Sequence, residues 1–114
     1  MKLGGVCILT NNAPRLVEFY KAILQQDPFV EGSHYSFGNL AVYDPGDVKL
    51  AAEKNIWLQC FHSDIDTLYA RLLREIPGIN IISPPERKPW GTYSFQFTDP
   101  DGNKIAVAQV DEEG

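Results

Sequence analysis

With 114 residues, 44% of them apolar and 22% charged, the chain has the make-up of an ordinary folded domain with room for a real hydrophobic core. Fifteen acidic against ten basic side chains give a net charge of −5, and no basic cluster exceeds Arg87-Lys88. That balance excludes a nucleic-acid or anionic-membrane surface. With no leader-like segment and no apolar run of spanning length, a cytoplasmic location is expected.

Taken in chain order, Val6-Cys7-Ile8-Leu9 reads as a short apolar strand. A helix should start near Asn12, a good N-cap, with Pro14 in the first turn, where its missing N–H does no harm. Leu16, Phe19, Tyr20, Ile23 and Leu24 form its apolar stripe, and Pro28 should end it. Strands follow at 29–31, 35–37 and 40–43, with turns at Gly32 and Gly38-Asn39. A linker over 47–55, after Pro45 and Gly46, divides a first module of about 1–46 from a second of 56–110.

Leu58-Gln59-Cys60-Phe61 is a second apolar strand, and Ser63 with Asp66 three residues on predicts the capping box of a second helix. Ile65, Leu68, Tyr69, Leu72 and Ile76 are its stripe, and Pro77-Gly78 its stop. Pro84-Pro85 reads as a loop between strands at 79–82, 92–98 and 104–110. Asp99-Pro100-Asp101-Gly102-Asn103 makes the last turn. Leu9 and Phe61, like Leu16 and Leu68, stand 52 residues apart, so the strand–helix unit is duplicated. The fold class is therefore α+β. Cys7 and Cys60 lack metal-type spacing and read as reduced, small hydrophobes within strands.

Phe97-Thr98-Asp99-Pro100-Asp101-Gly102-Asn103-Lys104-Ile105, preceded by Pro89-Trp90-Gly91, resembles the C-terminal signature of the vicinal oxygen chelate superfamily. This is the glyoxalase, bleomycin-resistance and extradiol dioxygenase group. Glu18-Phe19-Tyr20-Lys21 is similar to the family's first helix, and Asp64-Ile65-Asp66-Thr67-Leu68 to its second. The resemblance implies one glyoxalase/bleomycin-resistance-like domain of two βαβββ modules whose mixed, curved sheets enclose a cleft. It also implies a homodimer, and in many members a divalent metal acting as a Lewis acid on substrate oxygens.

Carried over residue by residue, the family's metal-ligand positions fall at Gly5, Trp57, Ala106 and Ala41 or Val42. None has a side-chain donor, so no metal, no cofactor and no metalloenzyme chemistry are expected. Strand alternation assigns Cys7, Leu9, Trp57, Gln59 and Phe61, with Ala106 and Ala108, to the cleft. Trp90, Tyr93 and Gln96 complete the expected ligand-binding set at its rim. Trp57 is either a stacking platform or a plug for the cleft, and Gln59 needs a hydrogen-bond partner there. His34 and His62 match no ligand position and read as surface residues, and Glu86 as a solvated loop carboxylate rather than a general base.

The expected function is metal-independent binding of a small hydrophobic or aromatic molecule, with no catalytic residues. A metal-dependent glyoxalase-like (lactoylglutathione lyase-like) or dioxygenase-like enzyme is one alternative. A non-catalytic structural or regulatory dimer is the other.

Overall fold

The computed structural model describes residues 1–111. The chain divides into two compact units, the first ending at Ala51 and the second beginning at Ala52. Each holds one helix and one four-stranded mixed sheet. No helix among the described residues is long and apolar enough to cross a membrane.

In the first unit, β1 (Val6–Leu9) leads into α1 (Ala13–Leu24), followed by β2 (Phe29–Glu31), β3 (His34–Ser36) and β4 (Leu40–Tyr43). The sheet order is β1-β4-β3-β2, with β1 parallel to β4 and the other pairs antiparallel. Asn12 caps α1 as expected, its side chain accepting from the Arg15 amide at 3.3 Å. The helix ends before Pro28, because Gln25 adopts a left-handed conformation and returns its N–H to the Lys21 carbonyl. Leu16, Val17 and Tyr20 on α1 are buried, as are Phe37 and Val42. Tyr20 and Phe37 meet at 6.4 Å between ring centroids.

The second unit repeats this plan with β5 (Trp57–His62), α2 (Ile65–Glu75), β6 (Asn80–Arg87), β7 (Tyr93–Thr98) and β8 (Lys104–Gln109), in the order β5-β8-β7-β6. Residues 6–9 and 13–23 shifted by 52 fall on β5 and α2, so the repeat seen in the sequence is structural. Its cap differs from expectation. Asp64, not Ser63, caps α2, accepting the Thr67 amide at 3.2 Å and the Thr67 hydroxyl at 2.7 Å. Those bonds favour the ionised form and hold the Asp64 carboxyl below its usual range. The Gln109 side chain satisfies another free amide at this helix start, that of Ile65, at 3.0 Å.

Pro84-Pro85 also departs from expectation, lying inside β6 rather than in a loop. β6 is an edge strand whose register against β7 slips twice, between Ile81 and Ser83 and between Ser83 and Glu86. Edge position and irregular pairing are where a strand tolerates prolines that cannot donate. The core of this unit is Ile65, Leu68 and Leu72 with Phe95, Phe97, Ile105 and Val107. Phe95 stacks on Phe97 at 5.5 Å and meets the edge of Tyr69 at 5.3 Å.

The turn from β7 to β8 is organised by a buried carboxylate. Asp99 is 4% exposed and accepts from the amides of Asp101 and Asn103, both at 2.9 Å, and from Asn103 Nδ2 at 2.8 Å. Gly102 takes the positive φ of +86° that closes the turn. The family-like signature thus sets strand register. Replacing Asp99 with Ala strands buried donors and is expected to lower the unfolding free energy by about 3 kcal/mol in urea titration. Asp99→Asn, which keeps an acceptor, should lose less. A loss below about 0.5 kcal/mol for the alanine variant would remove this role from Asp99.

Candidate functional site

Parallel pairing of β5 with β8 and antiparallel pairing of β8 with β7 lay out three rows on one face of the second sheet. Gln59, Ala106 and Gln96 form the middle row, since Gln59 pairs with Ala106 and Ala106 with Gln96. Phe61, Ala108 and Ser94 form the row on one side of it, and Trp57, Lys104 and Thr98 the row on the other. The opposite face carries Phe95, Phe97, Ile105 and Val107 toward the buried core, so it is closed by packing.

A cavity of about 380 Å³ opens on the row-bearing face. Its floor is Ala106 and Ala108, its aromatic wall Trp57, Phe61 and Trp90, and its polar groups Gln59, Gln96, Thr92 and Ser94. Cys60 also borders it, and burial pushes that thiol upward in pKa, keeping it neutral. Trp57 remains 39% exposed, and the Lys104 ammonium lies 5.5 Å from its ring centroid. Trp90 sits at the tip of the β6–β7 hairpin. Lys88 N–H to Thr92 O at 2.7 Å and Gly91 N–H to Lys88 O at 2.9 Å close that tip, and Gly91 takes φ +104°.

Of the expected ligand-binding residues, Trp57, Gln59, Phe61, Trp90 and Gln96 border this one cavity. Cys7 and Leu9 belong to the first unit, on the face opposite its buried Val42, and both are exposed. Tyr93 is a correction. It shares the parity of Phe95 and Phe97, and its hydroxyl donates to Asp66 Oδ1 of α2 at 2.5 Å, away from the cavity. Ser94 and Thr92 stand there instead, and the alternation of Ser94 and Gln96 with Phe95 and Phe97 is the signal that could have found Ser94. His34 is half-buried beside Tyr43, its ring 5.7 Å away, and His62 Nδ1 accepts the Asp64 amide at 3.0 Å. Glu86 is in β6, tied to Lys88 Nζ at 2.6 Å and Ser83 Oγ at 2.8 Å. The Lys88 bond first, and the Ser83 bond after it, depress its pKa, which makes it a weaker base.

The residues present do not fit the family's metal. Trp57 faces Lys104 across the strands, and Ala106 faces Gln59. In the first unit Ala41 faces Cys7, and a β-carbon on Gly5 would lie 2.4 Å from the Asn39 carbonyl oxygen. Among the described residues no three His, Cys, Asp or Glu side chains gather as a metal would require.

Comparison with known proteins agrees with this architecture. Residues 3–111 match the family described as Glyoxalase-like domain. A protein of unknown function from Agrobacterium tumefaciens str. C58 is 23% identical with a TM-score of 0.81, over 96% of this chain and 94% of that one. A glyoxalase/bleomycin resistance protein/dioxygenase from Nocardioides is also 23% identical, with a TM-score of 0.78 over 100% and 86% of the two chains. A superfamily member from Sphaerobacter thermophilus DSM 20745 is 19% identical with a TM-score of 0.73, over 96% and 98%. No curated protein matches by sequence.

The Tyr93–Asp66 bond is directly testable. Accepting that bond, Asp66 stabilises the neutral phenol and raises the Tyr93 pKa above the usual tyrosine value. An alkaline titration followed by tyrosine-selective NMR should therefore show Tyr93 ionising above the usual tyrosine value. Asp66→Asn should move it back down, and an unchanged titration would break the assignment.

Proposed function

The chain belongs to the vicinal oxygen chelate superfamily through its glyoxalase-like domain, and from that premise we propose that it is a metal-independent binder of a small hydrophobic or aromatic molecule. The observation that carries this reading is the make-up of the second unit's cavity. Three aromatic rings border a floor of two alanines, and among the described residues no ionised side chain is in the lining. Large rings supply apolar contact at low cost in side-chain entropy, and a volume near 380 Å³ suits a drug-sized or smaller guest.

The enzymatic alternative asks for a Lewis acid where the chain offers Gly5, Trp57, Ala106 and Ala41 or Val42. The structural-dimer alternative asks for a cavity closed by its own side chains, whereas Trp57 leaves this one open. A homodimer in the cytoplasm is part of the proposal. Phe29 and Trp90 at 68% and 74% exposure are apolar surface that a second copy could cover. Light scattering checks it, with a mass near twice 12.8 kDa expected.

Both tryptophans of the chain border the cavity, so intrinsic tryptophan fluorescence at a fixed protein concentration reports on the site. Quenching by an aromatic library is expected, and Trp57→Ala should weaken the best binder by about 2 kcal/mol, near thirtyfold. Equal affinity in the variant would remove Trp57 as an anchor. Saturating Ni²⁺, Zn²⁺ or Fe²⁺ should leave the thermal midpoint where it was. A specific ion at a hundred times its Kd would add about 2.7 kcal/mol and raise it visibly, and that rise would restore the enzymatic reading.

A further inference from the structure

The middle row of the site has a property the binding reading does not use. Gln59 and Gln96 flank Ala106 from two sides, on strands that each pair with β8. Their Cα positions are two strand spacings apart, about 9.6 Å. Between them the methyls of Ala106 and Ala108 leave a trough along β8. Each amide offers one acceptor and two donors, and neither has a side-chain partner among the described residues. An amide facing an apolar trough is satisfied by water when the site is empty and needs a partner when a guest displaces that water.

We propose that the guest is an uncharged, planar ring system with hydrogen-bonding nitrogen and oxygen atoms on two opposite edges, one edge read by Gln59 and the other by Gln96. This rests on the binding reading above and adds the chemical class of the ligand. Charge is disfavoured because a buried ion finds no counter-ion in this lining. Lys104, the cation beside the lining, is directed at the Trp57 ring, 5.5 Å from its centroid. Planarity follows from the trough, which has flat alanine ground and the rings of Trp57 and Phe61 in the rows on either side of Gln59. Paired edges follow from the two amides. A hydrocarbon of the same outline would leave both of them unpaired.

Three probes separate the two levels of the argument. Lumichrome is planar, neutral and carries donor and acceptor edges; naphthalene is planar without them; 1-naphthalenesulfonate adds a charge. Fluorescence titration of the full chain should show lumichrome binding at least tenfold tighter than naphthalene, and naphthalene tighter than its sulfonate. Gln59→Leu and Gln96→Leu should each weaken lumichrome at least tenfold while naphthalene binds as tightly or more tightly, because an amide it left unpaired is gone, and that retained binding also shows that the variants are folded. If naphthalene binds while lumichrome gains nothing, or the leucine variants bind lumichrome normally, the edge-reading proposal is overturned and the binding reading stands. A tighter sulfonate overturns the proposal as well. If no probe quenches either tryptophan, both readings are overturned.

Discussion

Everything at the site depends on the parallel pairing of β5 with β8, the first and last strands of the second unit. Two strands that run the same way cannot be joined by a tight turn, so the chain must cross over, and α2 with the β6–β7 hairpin makes that crossing. The crossing helix covers one face only. Ile105 and Val107 go to the core with Phe95 and Phe97, and the alternate residues are left to face outward. The outward rows, with alanine at the centre and larger groups on the flanks, are a direct product of register. A slip of one residue between β7 and β8 would exchange them for the core set.

This explains why the strongest local ordering lies far from the cavity. The Asp99 carboxylate is buried and takes three hydrogen bonds in the turn that fixes β7 against β8. The start of α2 is closed by Asp64 and by Gln109, which reaches across from the end of β8. Tyr93 binds Asp66 from the start of β7. These polar contacts connect the helix to the strands whose other face bears the site. The site itself carries little internal bonding, and that leaves its amides and rings available to a guest.

Much of this was legible in the residues. The 52-residue repeat located β5 and α2, because apolar periodicity in short, strongly amphipathic segments survives without tertiary knowledge. Parity along β5 and β8 put Trp57, Gln59 and Phe61 on the face that bears the cavity. On β7 an odd spacing separates Tyr93 from Gln96, so the two take opposite faces and only Gln96 borders the cavity. The α2 cap is less legible, since Ser63 and Asp64 are both good caps and only geometry chooses Asp64. The path of β6 through Pro84-Pro85 was not legible, because its cause lies in the pairing: an edge position, with β6 itself bulged against β7.

Gly5 carries a consequence for how this chain can change. The backbone of Asn39 has closed over the place where any side chain at position 5 would begin, and Val6 N–H bonds the same carbonyl at 2.8 Å. A histidine introduced there meets main chain before it can reach toward an ion. A donor side chain at position 5 therefore demands a second change, one that lifts the backbone around Asn39 out of its way. In that sense the missing β-carbon acts as a lock, which no single substitution opens.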